Sequence, residues 1–178
     1  MLCFEPQEKP FEQLKKWAEK QRNVTAFPYA LGDHNGDVTM NAFPGMPRHS
    51  TLHTINPNFS HASKFAAMQT MITVPIRRLD DVVADMQLQE SILIKIDVEG
   101  FELEVIAGAH ETLHRTTACI IEAHTDEHFV DQPNLSKIMQ ALEPLGLEYV
   151  GNLMQHADPK FGADYMDALF INHRLLGA

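Results

Sequence analysis

An α/β fold with a mainly parallel sheet is the fold class that the sequence predicts. Two apolar segments, "SILIKIDV" and "ACIIEAH", have the length and composition of buried strands, and the helical pattern "EGFELEVIAGAHETLHR" separates them. Strand and helix patterns also alternate along most of the remaining chain. Because a helical crossover lets two successive strands pair in parallel, this alternation favours a mainly parallel sheet.

Composition and charge narrow the class of protein. The chain has 178 residues, of which 44% are hydrophobic and 21% charged, so we expect one soluble globular domain over residues 1–178. With 14 Lys and Arg against 24 Asp and Glu, the formal net charge of -10 disfavours nucleic acid or an anionic membrane as a partner. No apolar run approaches the roughly 20 residues that span a bilayer, and we expect a cytoplasmic protein without a secretion signal.

The other elements follow from local patterns. "MLCFEP" is predicted to be a strand that Pro6 ends, and the pattern is then helical as far as Asn23. "VTAFPYALGD" and "GDVTMNAF" are predicted to be a strand and its return. Residues 44–71, rich in Pro, Gly, His, Ser and Asn, indicate a long irregular loop or insertion. The remaining predictions are a strand and short helix in "MITVPIRRLDDVVADM", a helix in "NLSKIMQALEPLG", and closing strands in "LEYVGNL" and "DALFINH".

Candidate functional residues stand where the central strands end, the edge at which ligands bind in α/β sheets. Asp97 and Glu99 follow one strand and would share a face if that strand continued far enough. Glu122, His124 and Asp126 repeat the same spacing at the next strand. Such a group could bind a divalent ion or transfer a proton, and the alternative for the second set is a solvated strand exit.

Two further features flank these acids. Glu5 ends the first strand, where an acid can accept hydrogen bonds from ribose hydroxyls or can simply belong to a turn. Gly100 permits a tight backbone path between strand and helix. Glu102 and Glu104 would then lie in the first helical turn, where carboxylates favour the positive end of the helix dipole, and we interpret both as structural.

The segment "LIKIDVEGFELEVIAGA", followed by "CIIEAH", closely resembles the FkbM family of S-adenosylmethionine-dependent methyltransferases. The family signature has a Lys-Ile-Asp-x-Glu-Gly core and a downstream Glu-x-His strand. The segments "CFEPQEKPFEQLKKW" and "VTAFPYALGDHNGDVTM" resemble its second and third strands, in the same order. "VPIRRLDDVV" resembles its Thr-Leu-Asp-Asp segment, with Arg78 in place of the threonine.

This resemblance implies a Rossmann-like class I methyltransferase sheet with helices on both faces. It also implies transfer of the methyl group of S-adenosylmethionine to a hydroxyl of a glycan or secondary metabolite. Glu5 would hold the ribose of the cofactor, and Ala30 and Leu31 would lie against its adenine. Asp97 and Glu99 would lie beside the transferring methyl group.

The catalytic hypothesis concerns Asp97, Glu99 and His124. Methyl transfer depends on positioning and on a base that takes the hydroxyl proton. We expect Asp97 or His124 to be that base, with Glu99 fixing the backbone turn or the substrate.

One departure from the family concerns the cofactor loop. The family's glycine-rich turn should precede "FEP", yet Met1 already falls on the segment that resembles the second strand, so we expect an N-terminally truncated sheet. The chain is then a fragment, or it is complemented by another chain or by a second copy in a homo-oligomer, or it is an inactive relative. In each case the isolated chain is expected to bind the cofactor weakly or not at all.

Two alternatives belong to other classes of protein. A non-catalytic binding or oligomeric relative would use its exposed sheet edge for a partner. A divalent-metal-binding protein would use the carboxylates and histidine at the strand ends, which suit Mg²⁺ or Mn²⁺ better than zinc. His49, His53 and His61 are expected to be surface polar residues, although His49 and Ser50 could instead belong to a substrate lid. The acceptor itself is not specified by the sequence.

Overall fold

In the computed structural model, residues 1–59, 61–125, 127–158 and 162–176 are described, and they form a mixed α/β fold. The first unit is a strand, helix and strand: β1 (Leu2–Phe4), α1 (Glu8–Ala18) and β2 (Thr25–Phe27). The two strands pair in parallel, and the rings of Phe4 and Phe27 stack with their centroids 5.2 Å apart. The structure therefore confirms the predicted strand and helix at this end.

A second sheet contains β3 (Ala30–Leu31), β4 (Gly36–Ala42) and β5 (Thr70–Arg77). The central strand β5 pairs in parallel with β3 and antiparallel with β4. The stretch 44–71, which the sequence predicts to be irregular, holds a 3-10 helix at Pro47–His49 and the helix α2 (Ala62–Met68). The helix forms because "ASKFAAM" contains three alanines and no glycine or proline, a composition with good helical propensity.

The third sheet has the order β6, β7, β9, β8 and carries the predicted site. Its strands are β6 (Leu93–Ile96), β7 (Ala118–His124), β8 (Glu148–Asp158) and β9 (Gly162–Ile171). The helix α3 (Leu79–Val83) precedes these strands, and the helices that connect them are α4 (Glu102–Gly108), α5 (His110–His114) and α6 (Leu135–Leu142). The predicted single helix after β6 is thus divided at Ala109, which has φ -117° and ψ 17°.

The strand pairing corrects the prediction of one mainly parallel sheet. Within the described ranges, the strands form three separate sheets with three parallel and three antiparallel pairings. The β8–β9 pair is antiparallel because these two strands follow one another closely along the chain, whereas a parallel partner needs a long crossover. The sheets of the described residues are thus split, and their pairing does not by itself show a single Rossmann-like sheet.

The hydrophobic core lies between the third sheet and helices α4, α5 and α6. Its buried strand residues include Ile96, Ile121 and Phe170, and helix residues such as Leu113 and Ile138 pack against them. This packing fixes the adjacent ends of β6 and β7, from which the candidate acids project. No helix in the described part of the chain is long and apolar enough to cross a bilayer.

Candidate functional site

The carboxyl end of β6 directs its first acid toward solvent. The strand ends at Ile96, and the Asp97 side chain is 43% exposed. The Lys95 Nζ atom lies 3.1 Å from Asp97 Oδ2 and 3.5 Å from Asp167 Oδ1. Burial alone would lower the pKa of Lys95, but these two carboxylates outweigh it and raise that pKa. Asp97 is therefore part of a half-exposed ion-pair group.

Glu99 has a different environment because the backbone reverses after β6. Its φ of +52° and the φ of +100° at Gly100 place both residues in the left-handed region. The Glu99 side chain is only 9% exposed, and the Thr51 hydroxyl donates a 2.6 Å hydrogen bond to its backbone carbonyl. The condition under which Asp97 and Glu99 would share a strand face is not met, since the strand ends before either residue.

Glu99 joins Glu122 and His124 from the end of β7. We call these three residues the carboxylate–histidine cluster; one ligand atom from each lies within 4.8 Å of the others. His124 Nε2 is 3.3 Å from Glu122 Oε1 and 3.8 Å from Glu99 Oε2. Asp126, the third polar residue predicted at this strand, lies outside the described residues.

The carboxylates of the cluster favour protonation of His124 and of the neighbouring His49. Burial disfavours charged His124, but the carboxylates of Glu122 and Glu99 outweigh burial and raise its pKa. The Glu99 carboxylate, with Oε1 3.4 Å from His49 Nδ1, also raises the pKa of His49. The arrangement can accept a proton, and its two carboxylates and one imidazole can hold a divalent ion.

A cavity of about 190 Å³ borders the cluster. Glu99 and His49 form part of its wall, and the apolar wall includes Phe59, Phe65 and Phe129. The rings of Phe59 and Phe65 meet edge to face with centroids 5.8 Å apart. Most of this wall comes from the stretch between β4 and β5, so the segment predicted to be irregular lines the cavity.

The histidines of that stretch were expected to be surface polar residues. His61 is exposed and lines the cavity, and His49 is half-exposed although its Nδ1 lies 3.4 Å from Glu99 Oε1. The prediction is wrong for His53, whose largely buried ring has Nε2 3.7 Å from Glu104 Oε1. Their spacing carries no ligand motif, so only the fold reveals these contacts.

Glu5 belongs to a second polar group that reaches the same stretch. Its Oε1 accepts a 2.8 Å hydrogen bond from the Gln7 backbone N–H, and burial raises its pKa. The buried side chain of Gln7 donates to the Pro47 carbonyl at 3.0 Å and accepts from the Ser50 hydroxyl at 3.0 Å. These bonds connect the end of β1 to the segment that carries His49. No local pattern in the sequence indicates this role of Gln7.

Ala30 and Leu31, the residues expected at the adenine, form β3. Ala30 is buried and pairs with Ile76, while Leu31 packs against the main core. Their strand belongs to a different sheet from β1, which ends before Glu5, and from β6, which ends before Asp97. The ring of Tyr29, just before β3, nevertheless lies 5.8 Å from that of Phe4 in β1.

Glu102 and Glu104 lie in the first turn of α4, as predicted. The buried Glu102 accepts a 3.0 Å hydrogen bond from the Gly100 backbone N–H through Oε1. Burial raises its pKa to about 7. Its role at the turn is thus structural, because it holds the glycine that follows Glu99.

Comparisons with known proteins agree on one family. The family model described as the methyltransferase FkbM domain matches residues 1–150. The chain is 28% identical to a 2-O-methyltransferase NoeI of Sinorhizobium fredii, over 80% of this chain and 60% of that protein. It is 25% identical to a hexuronic acid methyltransferase AglP of Haloferax volcanii, over 78% of this chain and 52% of that protein.

A solved structure shows the same fold. The chain superposes on the crystal structure of a methyltransferase FkbM from Methylobacillus flagellatus with a TM-score of 0.52 and 15% identity. That match covers 96% of this chain and 36% of the other. The chain spans little more than half the length of the curated relatives named above. Because the family model matches most of its residues, the chain belongs to the FkbM methyltransferase domain family.

Proposed function

We propose that this chain is an S-adenosylmethionine-dependent O-methyltransferase that acts on a hydroxyl of a glycan or secondary metabolite. The observation that carries the proposal is the double role of Glu99, which belongs both to the carboxylate–histidine cluster and to the wall of the cavity. A hydroxyl bound in the cavity would lie beside groups that can take its proton. The relatives support an oxygen acceptor, since one is named a 2-O-methyltransferase.

The cavity is suited to the acceptor. Its phenylalanine rings offer apolar faces on which a sugar ring or another cyclic skeleton could stack, and Glu99 and His49 offer hydrogen-bonding groups. A small number of precisely placed polar groups in an otherwise apolar pocket is enough to orient a ligand. We therefore assign the acceptor to this cavity.

For the cofactor we propose Glu5, Ala30 and Leu31. The Gln7 N–H occupies Oε1 of Glu5, and Oε2 is the oxygen we assign to the ribose hydroxyls. Ala30 and Leu31 would provide the apolar contact for the adenine. When bound, the cofactor supplies an electrophilic methyl group.

In the proposed reaction, the acceptor oxygen forms a bond to the methyl carbon while the bond from that carbon to sulfur breaks. The hydroxyl proton passes to Asp97 or to His124. His124 is buried next to Glu99, whereas Asp97 is half-exposed and paired with Lys95. Glu99, which lies between Asp97 and His124 in the site, orients the acceptor.

Transfer of a labelled methyl group tests the proposal. The purified chain would be incubated with S-adenosylmethionine at concentrations high enough to populate a weak complex, together with a panel of methyl glycosides and hydroxylated polyketides. We expect labelled methyl ether with the wild type and at least a 100-fold lower rate in Asp97→Asn or His124→Ala, in line with the loss of a general base. Glu111→Gln, an exposed change in α5, is the control and should keep the wild-type rate.

Two results would contradict the proposal. Absence of label in every acceptor with the folded wild type would refute O-methyl transfer by this chain. Wild-type turnover in both Asp97→Asn and His124→Ala would leave the activity standing but refute both assignments of the base.

A further inference from the structure

The geometry points to a metal site: we propose that Glu99, Glu122 and His124 bind one divalent transition-metal ion, for which Mn²⁺ is the appropriate probe. This inference concerns the carboxylate–histidine cluster itself and does not require methyl transfer.

The distances in the cluster suit a shared ion. His124 Nε2 lies 3.3 Å from Glu122 Oε1 and 3.8 Å from Glu99 Oε2. An ion bound at about 2.0–2.2 Å to each of two ligands holds those ligands roughly 3 to 4.4 Å apart, depending on the bond angle. Both separations fall within that range, and one ligand atom from each of the three residues lies within 4.8 Å of the others.

The imidazole supplies an independent observation. The His124 side chain is only 7% exposed, and neither ring nitrogen has a hydrogen-bond partner within the described part of the chain. Burying polar atoms in this way costs free energy unless another partner satisfies them. Nε2 is directed at the two carboxylates, where a metal bond would supply that partner.

Charge balance supports the same conclusion. Two carboxylates with little exposure bring two negative charges close together, and a divalent cation neutralises both while leaving the imidazole neutral, the form that binds metals. The competing arrangement is a protonated His124 between the two acids, which neutralises only one charge. The metal-free arrangement is thus the alternative that the experiment must exclude.

The ligand set indicates the type of ion. Carboxylate oxygens suit Mg²⁺ and Mn²⁺, whereas imidazole nitrogen favours transition metals over Mg²⁺. Mn²⁺ accepts both kinds of ligand. Three protein ligands leave positions open for other oxygens, and Glu99 places the ion at the border of the cavity.

A role for the ion follows only if the proposed function holds. An acceptor hydroxyl bound to the ion would lose its proton more readily. His124 would then be a ligand, and Asp97 would be the proton acceptor among the two candidates.

Titration with Mn²⁺ tests the site. The electron paramagnetic resonance signal of free Mn²⁺ would be followed as untagged chain is added, so that no affinity tag competes for the ion. We expect one ion per chain, with at least tenfold weaker binding in Glu122→Gln and in His124→Gln. The matched controls are Glu111→Gln and His110→Gln, which change one exposed carboxylate and one exposed imidazole and should bind as the wild type does.

Thermal unfolding of each variant establishes that it is folded before titration. Glu122→Gln keeps nearly the same shape as the native side chain and serves as the decisive variant if His124→Gln does not fold. Absence of Mn²⁺ binding by the folded wild type would refute the site in favour of a protonated His124. Binding that survives in Glu122→Gln would place the ion elsewhere and would equally refute it.

The two proposals can fail separately. Mn²⁺ binding without methyl transfer to any acceptor would sustain the metal site and refute the proposed function. Methyl transfer that persists in the presence of EDTA, by a chain that binds no Mn²⁺, would sustain the proposed function and refute the metal site.

Discussion

The carboxylate of Glu99 lies 3.8 Å from Nε2 of His124, although the two residues come from different strand ends. Parallel pairing of β6 with β7 sets Ile96 beside Ile121, so both strands end at the same edge of the sheet. The left-handed turn at Glu99 then directs its side chain to the buried side, where His124 lies. The site therefore depends on the groups that hold this turn.

Thr51 is one such group, and Thr51→Val should destabilise the fold. The buried hydroxyl donates to the Glu99 carbonyl at 2.6 Å and accepts from the His53 backbone N–H at 3.0 Å. Valine keeps the shape but leaves both backbone groups unpaired, which should lower the free energy of unfolding by about 1–3 kcal/mol. Urea unfolding would measure the loss, with the exposed Thr39→Val as control. Equal stability of the two variants would refute this role of Thr51.

Gly108→Ala should be strongly destabilising for a steric reason. A Cβ atom at Gly108 would lie 1.8 Å from the backbone carbonyl oxygen of Gly32, so α4 and the loop after β3 would have to separate. We expect a loss of about 3 kcal/mol or more, because backbone atoms cannot move aside as a side chain can. Gly45→Ala is the control, since no atom lies within 4 Å of its Cβ position. Thermal unfolding that shows similar midpoints for both would contradict the close contact.

Glu102 should make the stability depend on pH. Burial raises its pKa from the ordinary value of 4.5 to about 7, so the folded chain retains a proton that the unfolded chain releases between these values. Its favourable contribution is complete below pH 4.5 and is lost as the pH rises through 7. As the pH rises from the lower value to the higher one, the free energy of unfolding of Glu102→Gln should therefore increase relative to that of the wild type by on the order of 3 kcal/mol.

Denaturant unfolding of wild type and Glu102→Gln across that pH range would measure the difference. Subtracting the two curves removes the titration of the other groups. Glu111→Gln, in which an exposed carboxyl is lost, should instead run parallel to the wild type. A constant difference between Glu102→Gln and wild type would show that the carboxyl titrates alike in the folded and unfolded chains.

Cofactor affinity of the 178-residue chain should be low. Gly32, Gly36 and Gly45 are scattered and do not form a strand, glycine-rich loop and helix unit, the kind of unit that holds a nucleotide cofactor. Calorimetry with S-adenosylhomocysteine should therefore show weak or undetectable binding, and Glu5→Gln should weaken any residual binding further. A tight, saturable complex would mean that other residues complete the site.

Local sequence patterns predicted the elements that pack against one another in the core. The segment "ACIIEAH" forms β7 over Ala118–His124. The spacing of apolar residues in "NLSKIMQALEPLG" gives α6 at Leu135–Leu142, with Gly146 at φ +82° beyond it. These predictions succeed because burial of alternate or helically spaced side chains is encoded within a few neighbouring residues.

For the site, the sequence predicted which residues stand at strand ends but not which of them contact one another. Glu99 and His124 were identified from their positions at the ends of apolar strands. The separation of Asp97 from Glu99, however, depends on a left-handed turn, which the hydrogen bond from the Thr51 hydroxyl to the Glu99 carbonyl stabilises. The contact between His49 and Glu99 likewise joins segments far apart in the sequence. No local pattern records such a contact.

The sequence by itself determined the α/β class, the positions of the main strands and helices, and the family to which the chain belongs. These properties follow from local periodicity and from a contiguous motif, "KIDVEG". The tertiary structure decided which polar groups meet: it set Asp97 beside Lys95 in solvent and enclosed His124 between two carboxylates. The physical reason is that burial and charge pairing of these side chains depend on packing between segments that are distant in the sequence. Those segments come into contact only when the chain folds.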